Sequence, residues 1–213
     1  MNTIEFWFDF GSNYSYLSMM RIRRLAAGAG VRAGVSVTLK PFMLGPIFKT
    51  LGWETSPFVL QAMKGNYVWQ DMRRQCLKYG LRWQRPSVFP RNALLAARVA
   101  LLGEGEPWAM DFCEQVMLAN FADDREIGDP AVIAAILESL GADSEALIAA
   151  AGMEACKAAL RERTAEAQTR GIFGAPMFFV GDEMFWGNDR LEDALAHATS
   201  ILTTGENPCS VTS

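Results

Sequence analysis

Apolar positions along this chain follow a short period at both ends and a helical period between them. Residues 4–9 carry Ile4, Phe6, Trp7 and Phe8 in a nearly unbroken apolar run, the pattern of a buried strand. The run turns at Gly11 and enters a helix predicted over 12–27, with Tyr14, Ser18, Ile22, Leu25 and Ala29 on one face. Tyr16, Met19 and Met20 leave its other side apolar too, so this helix is expected to be covered on several sides. Alternation over 35–39 predicts a second strand, which Lys40-Pro41 should stop.

From 45 to 171 the period is helical, with helices expected over 67–79, 92–102, 107–121, 130–140, 144–150 and 154–170. Asp129-Pro130 supplies an N-cap followed by proline at N1, and Gly171 fits the C′ position that closes the last of these helices. Residues 177–180 and 183–186, joined by Gly181-Asp182, read as a hairpin. A final helix has Leu191, Leu195, Ala198 and Leu202 as its buried stripe, and Asp189 with Glu192 is spaced as a capping box at its start. The order β-α-β, helices, β-β-α predicts an α/β fold. Residues 1–45 and 171–202 make one domain, 46–170 an all-helical insertion, and 203–213 a flexible tail.

The 213 residues, half of them hydrophobic and 21% charged, suffice for a sizeable core. A net charge of −4 without a Lys/Arg-rich run argues against nucleic acid or an anionic membrane as partner. Arg21, Arg23 and Arg24 are the nearest approach to a basic cluster and read as a solvated helix face. With no secretory leader pattern and no apolar run of membrane length, the expected location is the cytoplasm.

Conventional catalytic chemistry is scarce. Cys76, Cys113, Cys156 and Cys209 are scattered, without Cys-X-X-Cys spacing or a neighbouring histidine, so neither a metal site nor a dithiol is expected and packing roles are. His197, the single histidine, lies near the end of the last helix and would have to fold back a long way to serve a nucleophile. Gly28 and Gly30 close a helix and do not open one, so there is no phosphate loop. A cofactor carrying its own reactive group would explain the shortage. Ser12 stands at the first turn, where it is an ordinary N-cap or a hydroxyl that helps the helix terminus hold an anion such as a thiolate; the residues themselves admit both.

Several motifs occur in a fixed order: Phe8-Asp9-Phe10-Gly11-Ser12-Asn13-Tyr14-Ser15-Tyr16-Leu17, Lys40-Pro41-Phe42 into Gly45-Pro46-Ile47-Phe48, Met63-Lys64-Gly65, Gly171-Ile172-Phe173-Gly174-Ala175-Pro176 and Gly187-Asn188-Asp189-Arg190-Leu191. With them the chain, over residues 3–200, resembles a thioredoxin fold interrupted by the all-helical insertion of the DsbA-like superfamily. Within it the match is to the 2-hydroxychromene-2-carboxylate isomerases and their relatives, the kappa-class glutathione transferases.

The resemblance implies that Ser12 and Ser15 occupy the two cysteine positions of an oxidoreductase, which removes disulfide exchange and leaves the thiol to glutathione. Ser12 would be the catalytic hydroxyl beside the glutathione sulfur. Pro176 would be a cis-proline whose neighbour Ala175 pairs with the glutathione main chain. Asn188 and Asp189 would hold the γ-glutamyl end and Lys64 the glycine carboxylate. The implied reaction is glutathione-dependent isomerisation of 2-hydroxychromene-2-carboxylate to trans-o-hydroxybenzylidenepyruvate in aromatic degradation such as naphthalene catabolism. The implied partners are glutathione and a small aromatic substrate, and the implied assembly a homodimer. A kappa-type transferase and a non-catalytic thioredoxin-fold binding module are the alternatives. Duller roles stand beside these: Asp189 as the N-cap, Lys64 as a solvated helix start, and Tyr14, Tyr16, Phe42, Phe48, Trp53, Trp69 and Trp83 as packing instead of an aromatic pocket. The chain departs from the family pattern at Trp53-Glu54, where many relatives place asparagine after the glycine, and at Asn13, where Ser-Pro is commoner.

Overall fold

The computed structural model describes residues 3–28 and 35–204, residues 201–204 through their backbone alone. The chain runs β1 (Thr3–Phe8), α1 (Asn13–Gly28), β2 (Ser36–Pro41), α2 (Leu44–Thr50), α3 (Pro57–Leu60), α4 (Ala62–Tyr79), α5 (Leu94–Leu102), α6 (Ala109–Phe121), α7 (Pro130–Ser139), α8 (Ser144–Gly152) and α9 (Glu154–Thr169). It continues through β3 (Met177–Val180), β4 (Glu183–Trp186), a 3₁₀ turn (Asn188–Arg190) and α10 (Leu191–Thr204). The sheet order is β2-β1-β3-β4, with β1 and β2 parallel and the remaining pairs antiparallel. Strands from the two ends of the chain therefore lie side by side, Ile4 opposite Val180 and Trp7 opposite Met177. The nearly continuous apolar character of β1 follows from burial on both faces: Ile4, Phe6 and Phe8 enter one core with α1, α6 and α10, and Trp7 enters another with Phe42, Ile47 and Phe179. This is a DsbA-like thioredoxin fold, a four-stranded mixed sheet with a large helical insertion.

The hairpin, the Asp129 cap and the glycine after α9 stand as the pattern predicts. The Asp129 carboxylate accepts from the Ala131 N–H, and Gly171 has φ +76°. β2 does not stop before its proline: it runs to Pro41, opposite Phe8. An edge strand tolerates proline because its outer N–H groups need no ladder partner. The predicted 67–79 helix begins five residues earlier, and α2 and α3 precede it. Exposed Leu51, Val59, Leu60 and Met63 blur the period there. Arg21 is a clear correction. It is 2% exposed rather than solvated, because α1 is covered on both sides, whereas Arg23 does sit at the surface beside Asp111 and Glu114. Predictions that fall on Ala29, Gly30, the Leu202 side chain, Cys209 and 205–213 lie outside the described residues. Among the described residues, no helix is long and apolar enough to cross a membrane.

Candidate active site

At the C-terminal end of β1 the chain makes a turn in which Asp9, Phe10, Gly11 and Ser12 each have a partnered polar group. The Asp9 side chain is buried; its Oδ1 accepts from the Gly11 N–H at 2.7 Å and its Oδ2 from the Leu44 N–H at 2.7 Å, tying the turn to the first residue of α2. Burial pushes the Asp9 carboxyl up, against the lowering effect of those two bonds. The Ser12 N–H donates to the Asp9 carbonyl at 2.9 Å, and the Phe10 carbonyl accepts from Asn120 Nδ2 at 2.9 Å. Buried Arg91 donates in turn to the Asn120 carbonyl and Oδ1, at 3.2 and 3.0 Å, and pairs with Asp124. The helical insertion thus holds one wall of the turn. A Cβ on Gly11 would lie 3.3 Å from Asp9 Oδ1 and 3.6 Å from the Arg91 carbonyl, so a side chain there would crowd both anchors.

Ser12 performs the cap and one task more. Its Oγ accepts from the Ser15 N–H at 3.2 Å, the N-cap bond, and donates to the Ala175 carbonyl at 3.1 Å, 163 residues away. The Ala175–Pro176 bond is cis. The helix terminus is not the set of unpaired N–H groups expected from its position: Tyr14 N–H is taken by Asn13 Oδ1 and Ser15 N–H by Ser12 Oγ. Among the described residues, Asn13 N–H is the first-turn donor left without a partner. A chain with proline at this position would lack it.

The other predicted residues are held differently. Asn188 is buried, its Oδ1 accepting from Arg21 Nη1 at 2.9 Å and Ser18 Oγ at 3.3 Å, which fixes the 3₁₀ turn to α1. Among the described residues Asp189 forms no capping box: its side chain is 75% exposed with Arg190 at 3.7 Å, and Glu192 turns to Arg21 instead. Gly187, at φ +105°, makes room for this turn, since a Cβ there would lie 2.6 Å from Asp189 Oδ1. Lys64 is exposed in the first turn of α4, its Nζ 5.9 Å from the Phe58 ring centre.

Several residues escaped the sequence reading: Asp9, Asn120, Arg91 and Asp71, whose carboxylate accepts from Tyr14 Oη at 2.9 Å. Asp9 alone left a signal, a charged residue closing an apolar strand. Burial raises the Tyr14 hydroxyl first, and the Asp71 hydrogen bond raises it further. Among the candidate pocket aromatics, Phe42 and Tyr16 are core residues, Phe42 in an edge contact with Trp7 and Tyr16 donating to the Arg82 carbonyl. Phe48 and Trp53 pair with each other, and Trp69 packs edge-on to Phe89. Cys76, Cys113 and Cys156 are buried, burial pushing the Cys76 thiol up to about 12 and the other two upward as well. None of these three supplies a thiolate near neutral pH. The His197 ring packs against Phe185.

The sequence model of the DSBA-like thioredoxin domain matches residues 3–198. A 2-hydroxychromene-2-carboxylate isomerase from Sphingobium xenophagum is 30% identical over 191 residues, covering 89% of this chain and 94% of that protein. The chain belongs to the 2-hydroxychromene-2-carboxylate isomerase family. A family member from Pseudomonas putida is 29% identical over 198 residues, covering 88% of this chain and 90% of that one. A solved 2-hydroxychromene-2-carboxylate isomerase superposes with a TM-score of 0.84 at 25% identity, over 96% of this chain and 100% of the other.

Proposed function

We propose that this member of the 2-hydroxychromene-2-carboxylate isomerase family carries out the isomerisation its relatives are named for, on a small aromatic 2-oxo-acid precursor, with glutathione as the bound thiol. The observation that carries the reading is the Ser12 Oγ to Ala175 carbonyl bond of 3.1 Å. Two groups that the resemblance assigns to one ligand, from opposite ends of the chain, stand within a hydrogen bond of each other.

The residues at the turn fit an external thiol. Ser12 and Ser15 fill both positions where the resemblance would put a resident dithiol, and Cys76, Cys113 and Cys156 are buried, which disfavours their thiolates. The chemistry such a thiol supplies is reversible nucleophilic addition to a conjugated double bond, with the thiol regenerated on elimination. Ser12 turns its hydroxyl proton from the Ala175 carbonyl toward the sulfur and keeps its acceptor bond from Ser15. The same rotation frees the Ala175 carbonyl for the ligand main chain. Asn13 N–H adds a second donor at the positive end of α1. Lys64, outside any ion pair among the described residues, meets the glycine carboxylate, and Asp189 meets the γ-glutamyl ammonium.

The test is the absorbance change of 2-hydroxychromene-2-carboxylate with enzyme desalted free of thiol, then with glutathione restored. Turnover that depends on added glutathione is expected; full turnover in its absence overturns the thiol-borne reading. Accumulation of a stable glutathione adduct would identify a kappa-type transferase instead.

A further inference from the structure

Arg21 is a buried cation with no part in the chemistry described above. Its guanidinium lies 3.7 Å from the centre of the Tyr79 ring; Nη1 donates to Asn188 Oδ1 and Nη2 pairs with Glu192, while Nε is buried without a partner. A buried charge with one unsatisfied N–H is costly, and an apolar side chain of similar volume would fill the space. Both of its polar links run to the segment that begins at the 3₁₀ turn.

We propose that Arg21 is a positioning residue that, with Ser18, sets the polarity of Asn188, so that the 3₁₀ turn reads an α-amino-acid headgroup. The proposal rests on glutathione being the bound thiol. Asn188 Oδ1 receives two donors, Arg21 Nη1 and Ser18 Oγ, so the carbonyl end of the amide faces inward. The Nδ2 end has no partner among the described residues, and it is not among the sealed polar atoms. An asparagine held this way offers only donors. It selects a carboxylate, while the exposed Asp189 carboxylate beside it selects an ammonium. Consecutive in the turn, the two match in chemistry the α-carboxylate and α-amino group of a γ-glutamyl residue. Without Arg21 the amide is free to turn over and present its oxygen to the ligand carboxylate.

The experiment compares two thiols that differ in one group, glutathione and 4-aminobutanoyl-cysteinyl-glycine, which lacks only the α-carboxylate. Calorimetric Kd values are measured for wild type, Arg21→Lys and Ser18→Ala. Wild type should prefer glutathione by about tenfold, the size of one hydrogen bond to a charged group. Arg21→Lys should erase most of that preference by weakening glutathione alone, with the decarboxylated analogue unchanged. Equal weakening of both thiols, or of neither, overturns the proposal. Should Arg21→Lys fail to fold, Ser18→Ala removes the second donor and keeps the charge; it should narrow the preference about threefold, and an unchanged preference overturns the proposal. Wild type that binds both thiols equally refutes the headgroup reading, whereas wild type that binds neither refutes the glutathione reading itself.

Discussion

The turn between β1 and α1 and the segment from 51 to 67 hold their side chains in opposite ways. At the turn, Asp9, Phe10, Gly11 and Ser12 each have a backbone or side-chain group held by a partner at 2.7–3.2 Å. In the segment, Leu51, Trp53, Val59, Leu60 and Tyr67 are exposed and Met63 is 89% exposed. One region has its geometry fixed from several directions. The other leaves large apolar side chains exposed to water. A nucleophile must be placed within a fraction of an ångström of its target, whereas an apolar surface recognises by area and tolerates shifts. The two regions should therefore respond very differently to truncation.

The largest effect is expected at Asp9. Asp9→Ala leaves the half-buried Gly11 and Leu44 N–H groups without their acceptor, at about 1–2 kcal/mol each, so denaturant unfolding should show about 2–4 kcal/mol of lost stability. Met63→Ala, in the open segment where that side chain is 89% exposed, should change stability by no more than about 0.5 kcal/mol. Similar losses for both would erase the contrast. Asp9 also predicts a pH dependence. Its folded carboxyl is raised by burial, so the folded state holds the proton more tightly than the unfolded chain. Its contribution is full in acid and falls as pH rises from the ordinary carboxylate value through the raised one. The stability margin of wild type over Asp9→Asn should narrow across that interval; a widening margin would show the two N–H bonds outweighing burial.

Ser12 comes next, because its hydroxyl joins the pinned turn to the Ala175 carbonyl. Ser12→Ala removes the cap bond, at about 1 kcal/mol of stability, and, on the proposed glutathione reading, one donor to the thiolate. That donor is a hydrogen bond to a charged group, about 1.5–3 kcal/mol, so turnover at pH 7 should fall roughly ten- to a hundredfold and recover in part as pH rises. Identical pH–rate profiles for mutant and wild type would reduce Ser12 to its cap.

A smaller effect is expected at Asp189, which has no capping bond to lose. Asp189→Asn should leave the melting temperature unchanged and weaken glutathione by about two- to fivefold, the modest size of an exposed charge pair. A lowered melting temperature with unchanged affinity would return Asp189 to a structural role.

Sequence alone was informative wherever a signal is local. Asp129-Pro130 starts α7, Gly171 ends α9, and Gly181-Asp182 joins β3 to β4 because caps and turns are decided by neighbouring backbone. The motif around Ser12 located the turn for the same reason. The Asp189-Glu192 spacing misled because a capping box competes with any stronger partner, and Glu192 found Arg21.

What the sequence by itself determined about this protein is the order of its elements, the apolar faces that cover β1 and α1, and a hydroxyl at the head of α1. Tertiary structure decided which polar groups meet: Ser12 with Ala175, Arg21 with Asn188, Asn120 with Phe10. Those partners lie 110 to 167 residues apart, so no periodicity or spacing encodes them. They form because a buried donor or acceptor without a partner is costly, and packing of distant elements chooses the partner within reach.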